Sequence, residues 1–370
     1  MINKKRLINT FKALVKIDSL SLKEAKVVAY LEKELKKLGL KPYQVGKPAE
    51  GEVGNLIVDL PGKGKRIILN AHVDTVAPGK KIKPVQKGNH IYSEGHTVLG
   101  ADDKTGVAVI LEVLRTIKEQ KLAHPPIRVI FTVAEEIGLV GARCLPRRVF
   151  SGDFCITLDH GKPHEIIYKA PAQQNITAKI YGKSAHAGIH PEQGINAIKV
   201  ASIAIAKMRF GRIDNETTSN IGVIKGGKAT NVVPDKVEIK GEARSHNPAK
   251  LKKQIDHMKK ILKKTCLRFG ARLKVTVEKV YNSFEIKKSS QVMKAALAAV
   301  EKAGLKPVLQ QTGGGSDANI FNEAGVPTVI FGSGMHQVHT TKEFANVNEL
   351  ATGAEVVLNM VLLVVLKGIK

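Results

Sequence analysis

The chain contains no tryptophan, only three cysteines, and an aromatic share of 4%. Cys144, Cys155 and Cys266 are scattered, and no Cys-x-x-Cys spacing occurs. That argues against a disulfide framework and a cysteine-held zinc ribbon, and it fits a reducing cytosol. No long hydrophobic run is present. The longest candidate, residues 356–366, falls short of the ~20 apolar residues that cross a bilayer, and it reads as a buried terminal helix. No signal peptide is expected from the first residues, because Lys12 and Lys16 interrupt the segment after the charged stretch 3–6. Acidic residues are in short supply, with 33 Asp plus Glu against 59 Lys plus Arg, giving a net charge of +26. Such an excess can serve a nucleic-acid partner. Here the lysines are spread over helical segments and few aromatics remain to stack bases, so solvated lysine-rich faces are the better reading. The remaining consequence is a positive field that favours anionic substrates, such as peptides with free carboxylates.

At 370 residues the chain is long enough for two domains. The segment 66–76 begins as an apolar run and ends in His72 and Asp74. An apolar run of this length suits a buried strand of an α/β sheet, where function gathers at the carboxyl ends of strands. If the extended geometry persists, both side chains point to one face. A second apolar strand, 127–133, runs into Glu135 and Glu136, and a third, 153–158, runs into Asp159. A carboxylate at one strand end is unremarkable, whereas repetition at successive strand ends is hard to explain by chance. Upstream, apolar spacing predicts a helix over 2–17, and Ser21 with Glu24 reads as a capping box for a second helix ending at Gly39. His90 and His96 are placed in a polar loop. Residues 100–106 lead into a helix over 107–117.

Near residue 170 the pattern changes. Strands at 175–181, 219–225, 236–244 and 272–280, with helices at 194–208 and 251–267, give the order β-α-β-β-α-β of the ferredoxin-like arrangement. From residue 290 the first pattern resumes, through the glycine run 313–315 with Ser316 and Asp317, and then His336 and His339. The glycine run lacks the lysine of a phosphate-binding loop and reads as backbone lining a substrate pocket. The expected architecture is α/β, a mixed-sheet catalytic domain in two parts (1–170 and 285–370) with an inserted ferredoxin-like α+β lid domain (171–284).

Five motifs, in order, carry a resemblance that spans nearly the whole chain. They are Asn70-Ala71-His72-Val73-Asp74-Thr75-Val76, Gly100-Ala101-Asp102-Asp103-Lys104-Thr105-Gly106, Ala134-Glu135-Glu136-Ile137-Gly138, the Asp159 strand end, and Val338-His339-Thr340-Thr341. Together they resemble the M20 metallopeptidases, in the peptidase T-like (tripeptide aminopeptidase) branch. The resemblance implies two zinc ions held by His72, Asp102, Glu136, Asp159 and His339, with Asp102 bridging and Asp103 a neighbour that holds the loop. Two metals ~3.5–4 Å apart can share a water and polarise a carbonyl. Cobalt or manganese suits the same donors. Glu135 matches the general base, and Asp74 matches the residue that orients His72. Residues 182–188 resemble the lid motif, in which His186 stabilises the oxyanion and is sometimes supplied by a neighbouring subunit. Asn231 and Arg244 match substrate binders.

The implied function is a cytoplasmic metallo-aminopeptidase acting on short peptides, with a lid that closes about hinges near Ala170 and Tyr281; the resemblance suggests a homodimer through the lid, and a monomer is the open alternative. An N-acyl amino-acid deacylase or a carboxypeptidase uses the same scaffold, and a non-enzymatic nucleic-acid binder is the remaining, disfavoured class. His336 and His160, close to His339 and Asp159, leave the ligand assignment open to confusion, and the spacing to Thr340 favours His339.

Overall fold

Predominantly apolar strands must be covered on both faces, and the central strands of the main sheet are buried in this way along most or all of their length. A computed structural model describes residues 1–366. The final four residues of the expected segment 285–370 lie outside the described residues. The chain folds into two compact units. One comprises Met1–Lys169, Glu285–Thr312 and the residues from Ser316 onward, and the other comprises Ala170–Phe284 with Gly313–Gly315.

The main sheet of the first unit is mixed. Its centre is the His72 strand (Ile67–His72), flanked in parallel by Ile127–Thr132 and Phe154–His160. Thr328–Gly332 continues the parallel set beside Phe154–His160. Antiparallel strands extend both sides, with Asn55–Leu60 on Ile127–Thr132 and Glu165–Ala170 on Thr328–Gly332. The register sets Ala71 opposite Phe131, His72 opposite Thr132, and Asn70 opposite Thr157. Parallel strands in this register bring the chain segments after His72, Thr132 and Leu158 to one edge of the sheet. The helix Ala101–Glu119 is buried from Ala101 to Ile117 because it packs against the first helix (Lys4–Val15), the terminal helix (Val347–Leu366) and the His72 strand. Its helical dihedrals are regular only after Asp103. Gly100 precedes it with φ +71°, and a Cβ there would meet Thr75 Cγ2 at 2.9 Å.

Three expectations are corrected. Ser21 and Glu24 form no capping box: the second helix runs Ala25–Lys37 and has no side-chain cap bond. Ser21 Oγ donates instead to Asp74 at 2.6 Å, while Glu24 Oε1 accepts from Leu22 N and Ala134 N. Buried donors and acceptors across the fold outcompete the local cap. His90 opens a strand, His90–Ser93, in a small four-stranded sheet with Pro84–Lys87, Met335–His336 and Phe344–Asn346. Its ring packs edge-on against Phe344, which supplies the apolar contact that a loop position would lack. The terminal helix starts at Val347, earlier than the 356–366 run. By length and composition alone it is long and apolar enough to cross a membrane. It packs on the helices Ala101–Glu119 and Gln291–Lys302 as a core helix.

The second unit is a five-stranded antiparallel sheet in the order Gly211–Asp214, Thr217–Gly226, Lys236–Ser245, Ala172–Tyr181, Arg272–Tyr281. The last four strands and the helices Ala197–Lys207 and Pro248–Arg268 follow the β-α-β-β-α-β order, and Gly211–Asp214 is an added edge strand. Ile176, Ala178 and Ile180 alternate onto the face covered by the helices. Leu251, Ile255, Met258, Leu262 and Cys266 form the inward stripe of the longer helix, and its lysines stay in water.

Candidate metal centre

His72 closes its strand and is 2% exposed. Its Nε2 lies 3.0 Å from Asp102 Oδ1, and its Nδ1 lies 3.2 Å from Asp74 Oδ1, without hydrogen-bond alignment. Asp102 reaches a second imidazole, with His339 Nε2 at 3.3 Å from Oδ2. His339 Nε2 also sits 3.0 Å from Glu136. The ligand atoms of His72, Asp102 and Glu136 all lie within 4.8 Å of one another. Asp159 accepts a hydrogen bond from Ser316 and interacts electrostatically with Asp102 and Glu136. The structure therefore brings together His72, Asp102, Glu136 and His339, with Glu135 and Asp74 beside them and Asp159 within electrostatic reach of Asp102 and Glu136.

Buried acids hold the backbone around these side chains. Asp74 accepts from Glu135 N at 3.0 Å and Glu136 N at 3.2 Å. Asp103 accepts from His72 N at 3.2 Å and Gly106 N at 3.1 Å. Glu343 accepts from three backbone N–H groups of the turn before Lys104. Two residues of the site have left-handed backbone, Ala134 (φ +50°) and His339 (φ +62°). Such conformations are uncommon for residues with a Cβ and persist only where surrounding structure enforces them.

The electrostatics are those of crowded acids. Burial, reinforced by Asp159, Asp317 and Glu136, lifts the Glu135 carboxyl well above the carboxylate range. Burial likewise raises Glu136 and Asp159, with Asp102 adding to both. Burial also opposes ionisation of Asp102, yet hydrogen bonds from His339 and His72 outweigh it and hold its carboxyl low. For His72, burial disfavours the cation, but Asp102 and Asp74 prevail and its pKa stands well above the usual value. His339 is lifted to about 10 by Asp102 and Glu136. Two imidazoles and several carboxylates thus converge where charge repulsion and desolvation are both large, a situation that divalent cations relieve. Nitrogen and oxygen donors of this kind fit zinc, cobalt or manganese.

The neighbouring histidines are engaged elsewhere. His336 pairs with Glu349 and stacks on Phe344. His160 Nε2 lies 2.8 Å from Glu165. In the second unit, His186 is exposed and its Nδ1 accepts from Gly188 N at 3.2 Å. Ala187 N donates to Asn231 O at 3.0 Å, which places the His186 and Asn231 segments side by side. Arg244 is on the Lys236–Ser245 strand and grips Glu242 through Nε at 2.9 Å and Nη2 at 3.1 Å.

Sequence reasoning missed a polar layer beneath the centre. Asn70 Nδ2 reaches Thr132 and Asp317, both at 3.3 Å, and Thr157 donates to Asn70 Oδ1 at 3.0 Å. Thr132 also bonds Asp317. Burial raises Asp317 to about 6. The available signal was a polar residue in each buried strand, two or three positions before the strand-end acid or histidine: Asn70, Thr132 and Thr157.

A profile of peptidase family M20/M25/M40 matches residues 68–363. The uncharacterized protein YqjE of Bacillus subtilis (strain 168) is 41% identical over 366 residues, which is 98% of this chain and 99% of that one. The crystal structure of aminopeptidase PepT from Bacillus cereus ATCC 10987 shares 42% identity at a TM-score of 0.86, over 98% of this chain and 99% of that one. A tripeptidase structure from Staphylococcus aureus subsp. aureus Mu50 shares 39% identity at a TM-score of 0.92, with the same coverage.

Proposed function

The chain belongs to peptidase family M20/M25/M40, and on that premise we propose that it is a two-metal aminopeptidase releasing the N-terminal residue of short peptides, tripeptides foremost. The observation that carries this reading is the convergence of His72, Asp102, Glu136 and His339, with the buried Glu135 next to them. Likeness to the PepT aminopeptidase and the tripeptidase supports the choice of substrate.

His72, Asp102, Glu136, Asp159 and His339 would hold the metals, with zinc as the expected occupant. Two bound divalent ions supply Lewis acidity toward the scissile carbonyl and an acidified water. The chain's own residues do the rest. Glu135 has a carboxyl with high proton affinity, which suits taking a proton from the attacking water and returning it to the departing amine. Asp74 faces His72 Nδ1 and holds the backbone N–H groups of Glu135 and Glu136, so one carboxylate fixes ligand and base together. In the second unit, His186 serves the developing oxyanion, and Asn231 with Arg244 grips the peptide. A substrate carboxylate must then compete with Glu242 for the Arg244 guanidinium. The second unit acts as lid and as the surface through which two chains pair, and the enzyme works in the cytosol.

A panel of free and N-acetylated tripeptides tests the substrate assignment. Hydrolysis confined to free amino termini is expected. Cleavage of the acetylated peptides at the acyl group, with free ones spared, would replace the aminopeptidase reading with that of a deacylase.

A further inference from the structure

Glu343 lies four residues beyond His339 and is 2% exposed. Its Oε2 accepts from Leu99 N at 2.6 Å and Gly100 N at 2.7 Å, and its Oε1 accepts from Asp102 N at 3.0 Å. These three donors belong to a non-repetitive turn, with Gly100 left-handed and Asp102 extended (φ −80°, ψ 109°), so no helical carbonyl can serve them. From the same turn Asp102 reaches His72 and His339. The segment that supplies His339 therefore also supplies the carboxylate that shapes the backbone beneath Asp102.

We propose that Glu343 is a positioning residue for metal binding, clamping the Asp102 turn to the His339 segment so that both side chains keep the spacing a shared pair of ions requires. The proposal rests on the reading of Asp102 and His339 as ligands. It concerns how they are held. A carboxylate is the right group, because it is acceptor-only and one such side chain can serve three N–H groups. Glutamine fills the same volume, but its amide sets an –NH2 against at least one of those donors in either orientation.

The test compares wild type, E343Q and E112Q as full-length chains stripped of metal, then titrated with Zn2+ against a chromophoric chelator. Glu112 is an equally buried acid that accepts from Asn3 N and Arg6, in contact with no proposed ligand. It reports what loss of a buried carboxylate does to stability alone. E343Q is expected to weaken zinc binding roughly 10–100-fold, with kcat falling more than KM rises. E112Q should melt earlier yet bind zinc as wild type does. Wild-type affinity in E343Q overturns the proposal, as does an equal loss of affinity in both variants. Should E343Q fail to fold, backbone amide exchange in the metal-free wild type decides: protection of Leu99, Gly100 and Asp102 supports the clamp, and free-loop exchange refutes it. Wild type that takes up no zinc refutes the ligand reading itself and this proposal with it, whereas zinc-binding wild type with an unaffected E343Q refutes the clamp alone.

Discussion

The two units differ in whether they bury charge beside their apolar cores. The first keeps His72, Asp74, Asp102, Asp103, Lys104, Glu135, Asp317 and Glu343 out of water around one set of strand ends. The second buries an aliphatic layer between sheet and helices, and leaves His186 and Asn231 exposed and Arg244 partly so. Burying like charges together is expensive, and a fold keeps such a group only where partners or bound cations compensate. In the first unit, burial alone therefore singles out a centre for chemistry. In the second, a surface histidine or arginine costs nothing to display, so its role rests on resemblance and must be measured.

That contrast can be broken or sharpened by substitution. The largest effect is expected at Glu135: E135Q should lower kcat by about 10²–10⁴-fold while metal content, read by atomic absorption, stays at the wild-type level. Undiminished turnover would remove Glu135 from the role of base. In the second unit, H186A should cost about 10²–10³-fold in kcat, with metal affinity unchanged because His186 is not a proposed ligand, and thermal unfolding little changed because the bond it accepts from Gly188 N is exposed to water. If H186A is as active as wild type, the contrast hardens and the chemistry belongs to the first unit alone.

A smaller effect follows from the proton affinities. In the metal-free protein, His339 is lifted to about 10 and His72 well above its usual value. Metal needs the neutral imidazole, so a proton must leave when the ion enters. Affinity accordingly falls as pH falls below these values, by about tenfold per pH unit for each proton displaced. The raised Glu136 and Asp159 act with the same sign. Calorimetry in two buffers of different ionisation enthalpy counts the protons, and an affinity independent of pH would contradict the arrangement.

The parts legible in sequence are those with short-range signals. Apolar runs exposed the strands, and acids or a histidine after three of them pointed to the candidate centre. In the second unit, periods of 2 and 3.6 gave the helices and the long strands, while the four-residue strand Gly211–Asp214 was too short to register. What escaped depends on distant partners. Ser21 and Glu24 have capping-box spacing, but their hydrogen bonds run to Asp74 and Ala134. Glu343 meets its three donors across 241 to 244 residues of chain. Asp317 hides behind a glycine run, and only folding sets it beneath Thr132 and Asn70.

The central claim is that the acids and histidines at the strand ends of the first unit form a two-metal centre. It is tested most directly by the metal content of purified protein, paired with tripeptide hydrolysis before and after chelation. The account predicts about two divalent ions per chain, with hydrolysis abolished by chelation and restored on reloading. Protein that takes up no metal on reloading, or that hydrolyses tripeptides equally well without it, would contradict the account.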